Sequence, residues 1–283
     1  MTLPVSQLLQ RVRAYAKTLR TLCTMLARTE RLDKDRATNL QKLQQQAHKI
    51  RRLLEAETLS PQALQDVRQW LTVYQHELEH IHRGIQQRFA TELERLLRAE
   101  DLELRGQLPE LRAGLFTLEV NAVSGRVIIW YGPKQERMGT APLTPQAVFH
   151  QMQRLRQALS APFDSEAFLA RLFDAYRHAV QREGKAPGEP ARILAVLVEL
   201  ALLLQDRRFY TDPRREHFRS YGRVQFSYDL YRLRQRRLPT HEFALVTATR
   251  AYTTKRQDFL WVPSNERGEG TVYSHVVFRE IPK

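Results

Sequence analysis

Apolar residues recur through the first hundred positions in alternating steps of four and three. One series is Leu8, Val12, Tyr15, Leu19, Leu22 and Leu26. A second is Leu40, Leu43, Ala47, Ile50 and Leu54, and a third is Val67, Leu71, Tyr74, Leu78, Ile81 and Ile85. Such steps keep one apolar seam along a helix, as knobs-into-holes packing requires. Gln, Arg and Glu fill the positions between, as on a solvated face. The polar stretch Asp33 to Arg36 predicts a turn. Thr58-Leu59-Ser60-Pro61 predicts a stronger break, with Ser60 as N-cap and Pro61 in the first helical position. The third helix then runs from Pro61 to about Glu100, roughly 60 Å at 1.5 Å per residue. The pattern leaves open whether these helices pack within the chain or against another copy.

Gly106 to Gly114, with Pro109 between, marks a boundary where the period changes. Leu115 to Val120 and Arg126 to Tyr131 are β-rich runs joined through Ser124-Gly125, a hairpin signal. Gly132-Pro133 ends the second run. Helices are predicted over Leu143 to Leu159, Ser165 to Arg182, Pro190 to Asp206 and about Tyr221 to Arg237. Strands are predicted over Phe243 to Thr249, Phe259 to Val262 and Thr271 to Phe278, with a turn at Pro263 to Gly270. The fold class is therefore α+β. A long-helix bundle or coiled coil (1–105) precedes a compact α+β domain (106–283) with a small, mostly antiparallel sheet.

Composition narrows the class further. The chain has 283 residues, 42% of them hydrophobic, enough for a core without disulfides or metal. Its single cysteine, Cys23, fits a reducing compartment and is expected to be a buried packing thiol. The start lacks the apolar core of a signal peptide. The most apolar run, Ile193 to Leu204, is too short for the roughly 20 residues of a bilayer crossing and contains Glu199. The expectation is a cytoplasmic protein with no membrane span and no cofactor.

A net charge of +14 favours polyanionic partners. Residues 1–105 carry +5, residues 106–206 carry +1, and residues 207–283 carry +8. Within 207–237 lie ten arginines: Arg207, Arg208, Arg214, Arg215, Arg219, Arg223, Arg232, Arg234, Arg236 and Arg237. Only Asp212, Glu216 and Asp229 oppose them. Phe209, Tyr210, Phe218, Tyr221, Phe226, Tyr228 and Tyr231 are interleaved. Guanidinium takes phosphate bidentately or stacks on a base, and aromatic rings offer platforms for unpaired bases. Nine of these arginines (all but Arg234), with Tyr221 and with Lys255 and Arg256 downstream, are the candidate nucleic-acid contacts. The alternatives are a core role, since Phe226, Leu230 and Leu233 have helical spacing, and an Arg-Tyr protein interface.

A helix at about Tyr221 to Arg237 followed by a β-hairpin resembles, in element order, the end of a winged helix. The resemblance implies that Lys255 and Arg256 sit at a wing tip. It covers about 60 residues, and the preceding connection of about 14 residues exceeds the three or four of a helix-turn-helix turn.

Enzyme motifs are sparse. His76-Glu77-Leu78-Glu79-His80 matches HExxH, in which two imidazoles one turn apart flank a carboxylate. Glu100 is the available third ligand. Because Leu78 and Ile81 belong to the heptad seam, the two histidines flank a solvated helix instead of lining a cleft. There is no P-loop, GxGxxG, GxSxG or zinc-type cysteine spacing. Glu119, Asp164, Asp174, Asp212 and Glu242 are available to a metal-dependent nuclease, but their spacing selects none, and the pairing of Asp229 with Glu242 adds nothing. The leading expectation is a non-enzymatic nucleic-acid-binding subunit or assembly factor, acting on DNA or RNA. Residues 1–105 then provide self-association or a protein dock. The alternatives are a protein-interaction scaffold and, third, a nuclease or zinc protease.

Overall fold

The computed structural model of the chain describes residues 5–56, 61–122 and 124–281. It divides into two compact units, Met1–Glu92 with Asn121–Arg126, and Leu93–Val120 with Val127–Lys283.

The first unit is helical. α1 (Val5–Asp33), α2 (Arg36–Ala56) and α3 (Pro61–Arg98, of which residues through Glu92 belong here) meet along the seams that the sequence predicts. Leu22, Ala47, Ile50, Leu54 and Leu71, drawn from all three helices, form one buried cluster. Leu43, Tyr74 and Leu78 form another. Each Leu and Ile among them contributes about 1.5–3 kcal/mol when withdrawn from water. The seams therefore pack within the chain. The exception is the first half of α1, where Val12 is 63% exposed.

The turn between α1 and α2 is tight because Asp35 caps α2, its Oδ1 accepting from the Thr38 amide at 3.2 Å. Asp33 ties the three helices together. Its carboxylate accepts from Arg36 Nε and Nη2 at 2.8 and 3.0 Å and from the Tyr74 hydroxyl at 2.6 Å. Arg36 also reaches Glu77 at 2.9 Å. The Arg36 hydrogen bonds hold the Asp33 carboxyl below its usual range. Cys23 departs from expectation, because it is exposed. Leu22 occupies the seam at this level, and the neighbouring position turns 100° away from it. The predicted Ser60 cap lies outside the described residues.

The second unit holds two sheets. The first has the order β1-β2-β3-β4-β5: β1 (Leu104–Gln107), β2 (Glu110–Ala113), β3 (Phe116–Asn121), β4 (Arg126–Tyr131) and β5 (Glu136–Pro142). The β3 and β4 runs are those expected. Where the sequence suggests only a boundary, β1 and β2 form an antiparallel hairpin, Leu104 opposite Ala113 and Gln107 opposite Glu110. Strands of four residues rich in charge carry no readable alternation. β5 was equally illegible. α4 (Pro145–Leu159) packs beside β5.

Two helices lead to the second sheet, α5 (Ser165–Arg182) and α6 (Ile193–Leu203), with the short strand β6 (Ala191–Arg192) between them. The predicted Pro190–Asp206 helix is thus shortened at both ends. A five-residue helix, α7 (Arg207–Thr211), and α8 (Arg223–Arg232) follow. The sheet is completed by β7 (His241–Thr247), β8 (Leu260–Pro263) and β9 (Gly270–Glu280). β9 is central, because Tyr273 pairs with Thr247 of β7 and with Leu260 of β8. β7 and β8 therefore lie on opposite edges of β9 and do not form a hairpin with each other. α8 stops short of the predicted Arg237. Residues beyond it leave the helix to bond β7, with the Phe243 amide donating to the Arg236 carbonyl at 2.8 Å.

Phe226, Leu230 and Leu233 join Leu172, Val196, Leu200 and Phe278 in the main core. Tyr131 and Trp261 stack edge to face at 5.2 Å, and Ser227 bonds both the Tyr131 hydroxyl and the Trp261 carbonyl. The Trp261 ring explains Gly132. That residue has a φ of 59°, and a Cβ there would lie 2.6 Å from the indole. Among the described residues, no helix is long and apolar enough to cross a membrane.

Candidate nucleic-acid interface

The basic aromatic segment divides into a structural half and an exposed half. Tyr221, Arg223, Arg232 and Arg256 are engaged within the fold. Tyr221 donates to Asp229 Oδ2 at 2.7 Å, and its burial pushes the phenol pKa well up. Arg232 pairs with Asp229 Oδ1 at 2.5 Å, donates to the Ala161 carbonyl at 2.7 Å and lies over the rings of Phe163 and Tyr228. Asp229 itself is 5% exposed, and the Gln225 amide completes its shell at 2.9 Å.

Arg223 pairs with Glu136 of β5 and donates to the carbonyls of Arg256 and Phe259 at 3.0 and 2.8 Å. Arg256 folds onto the same Glu136 carboxylate. Two guanidiniums on one buried carboxylate fasten the β7–β8 connection to the first sheet. Lys255 beside them is exposed, with no ion pair among the described residues.

The other arginines face solvent. Arg214 pairs with Asp212 at 2.8 Å and Arg237 with Glu242 at 3.0 Å, both pairs open to water. Such pairs are worth about 0–1 kcal/mol and yield readily to a phosphate. Arg236 lies 6.0 Å from the Phe243 ring. Arg207, Arg208, Arg215, Arg219 and Arg234 are exposed and make no ion pair among the described residues.

Four of these five sit on or beside one closed loop. α6 ends at Leu203, and Gln205 just beyond it is 8% exposed. Its side chain spans the loop, Oε1 accepting from the Arg219 amide at 2.8 Å and Nε2 donating to the Arg219 carbonyl at 2.9 Å. This imitates one rung of an antiparallel ladder and pins residues 206–218 as a compact loop of the Ω kind. Asp206 caps α7 inside it, accepting from the Arg208 and Phe209 amides at 3.0 and 3.2 Å. His217 closes the middle on the Asp212 carbonyl at 2.8 Å.

The loop carries its own rings. Phe209 lies between Tyr210 at 5.8 Å and Phe218 at 5.6 Å. Tyr210 donates to the Leu202 carbonyl of α6 at 2.5 Å, yet is 61% exposed, and Phe218 is 42% exposed. The sequence signals the arginines and rings, but not the Gln205 pin or the Glu136 clamp, whose partners are distant in the chain.

The acidic residues weighed for catalysis have structural employment. Asp164 caps α5, Glu119 accepts from the Trp130 indole at 2.9 Å, and Asp212 and Glu242 hold the exposed arginines above. His76 and His80 are exposed on α3, and Glu77 between them accepts from Arg36. No group of three or more His, Cys, Asp or Glu among the described residues is arranged to hold a metal ion. Neither a known protein family, nor a curated protein, nor a solved structure matches this chain.

Proposed function

We propose that the chain is a non-enzymatic nucleic-acid-binding subunit or assembly factor, holding the phosphate backbone of DNA or RNA through the pinned arginine loop. The observation that carries this reading is that Arg207, Arg208, Arg215 and Arg219, around one closed loop, are exposed and make no ion pair among the described residues. Uncompensated guanidiniums repel one another, and a phosphate chain relieves that repulsion while giving up condensed counterions. Arg236, Arg237 and Lys255 are further exposed cations available to the same strand of phosphates. Arg223, Arg232 and Arg256 support it through their carboxylates. The helical N-terminal unit serves self-association or docks a protein, with the open first half of α1 the segment best suited to it. The winged-helix comparison gains no support, since Arg256 is turned onto Glu136 and β7 and β8 pair with β9.

The test is fluorescence anisotropy of labelled DNA and RNA oligonucleotides with the whole chain and with Arg207, Arg208, Arg215 and Arg219 changed together to Ala. Arg223 is excluded from the set because its loss would uncouple the Glu136 clamp. Circular dichroism confirms folding. Binding that the fourfold variant loses by tenfold or more supports the reading. Unchanged binding, or none by the wild type at about 50 mM salt, overturns it.

A further inference from the structure

We infer that the nucleic acid taken by this loop is single-stranded, its unpaired bases stacking on Tyr210 and Phe218; this rests on the reading above. Of the seven rings between Phe209 and Tyr231, Phe226 and Tyr228 are buried and Phe209, Tyr221 and Tyr231 are half-buried. Tyr210 and Phe218 are the exposed pair, at 61% and 42%, and neither belongs to the main core cluster. The half-buried Phe209 between them contacts both and fixes their separation. The Tyr210 hydroxyl bond to Leu202 and the Gln205 pin hold the rings before any ligand arrives. A site organised in advance spares the ligand that ordering cost.

Exposed ring faces are of use to a ligand that presents flat faces of its own. In a duplex the bases are stacked on one another and offer phosphates and groove edges. In a single strand each base has a free face, and stacking on an aromatic side chain tolerates any sequence. Arg207, Arg208, Arg215 and Arg219 supply the backbone charge beside these rings. An acidic peptide with aromatic anchors would also meet arginines and rings, so it enters the test as a competitor.

Anisotropy is measured with oligodeoxythymidylate, oligouridylate and a duplex of mixed sequence, against the wild type, Tyr210→Leu/Phe218→Leu and Tyr210→Phe. The inference expects single strands to bind at least about tenfold tighter than duplex. It expects the double Leu variant to lose at least about tenfold on single strands and keep its duplex affinity, and it expects Tyr210→Phe, which keeps the ring and loses only the Leu202 bond, to lose less than about threefold. Should the double Leu variant unfold, Tyr210→Trp serves instead, its added fluorescence quenched on mixing with oligodeoxythymidylate. Equal affinity for single strand and duplex, or no effect of removing both rings, overturns this inference and leaves the arginine reading standing. Binding of a random Glu-Tyr copolymer that single strands cannot displace, with no nucleic acid bound, overturns both.

Discussion

Arg223 and Arg232 look no different from their neighbours in the sequence, yet they belong to the fold. Their carboxylates decide this: Glu136 lies 87 residues from Arg223, and Asp229 is 5% exposed beside Arg232. The Glu136 partner is too distant to be read from local pattern, and the i,i+3 spacing of Asp229 and Arg232 does not reveal that the carboxylate is buried, whereas the exposed arginines needed only composition to be noticed. Replacing Arg232 by Ala strands a buried carboxylate along with Tyr221 and Gln225. Losing one partner of a buried pair costs about 3–5 kcal/mol, so Arg232→Ala should unfold at markedly lower urea than Arg234→Ala, which should match wild type. Equal midpoints would contradict the assignment.

His275 offers a second residue-level test. It lies on β9 against the Tyr252 ring, with Ser274 Oγ 2.9 Å from Nδ1. Burial, and then the charges of Lys185 and Arg192, hold its pKa below the ordinary value against the opposing pull of Glu183. A histidine whose pKa is lower in the folded chain favours folding above about pH 6.5, and that contribution is lost as pH falls through the unfolded value towards the folded one. The melting temperature should therefore drop between pH 7 and pH 5, and drop less in His275→Asn. A drop of the same size in both would show that His275 is not responsible.

At the scale of elements, the long helices were legible because a seam repeated over many turns is redundant. Leu22, Ile50, Leu71 and Leu78 are all at 4% exposure or below, as their spacing required. The four-residue strands β1 and β2, and β5 with its Gly139, lack that redundancy and become strands through their neighbours. The candidate site was half legible. Its charges and rings stand in the sequence, but the loop geometry depends on one buried amide. Gln205→Ala removes the two hydrogen bonds to Arg219 and a third to the Ala201 carbonyl, about 0.5–1.5 kcal/mol each, without touching the main core. The chain should stay folded by circular dichroism while amide exchange across 206–219 quickens and nucleic-acid affinity falls several-fold. Slow exchange in the variant would mean that the loop is held by something other than Gln205.

Across the whole molecule, the +14 charge is unevenly placed, and its consequence for binding is a matter of ionic strength. Nucleic-acid binding through four exposed guanidiniums releases counterions in proportion to the phosphates neutralised. An aromatic protein interface does so far less. The most direct measurement is therefore the slope of log K against log salt concentration, for wild type and for the variant lacking Arg207, Arg208, Arg215 and Arg219. Each phosphate contact contributes about 0.7 to the slope on a single strand and about 0.9 on a duplex. A wild-type slope steeper than the variant's by about 3, with the variant folded, is the result expected. A shallow slope common to both would contradict the account.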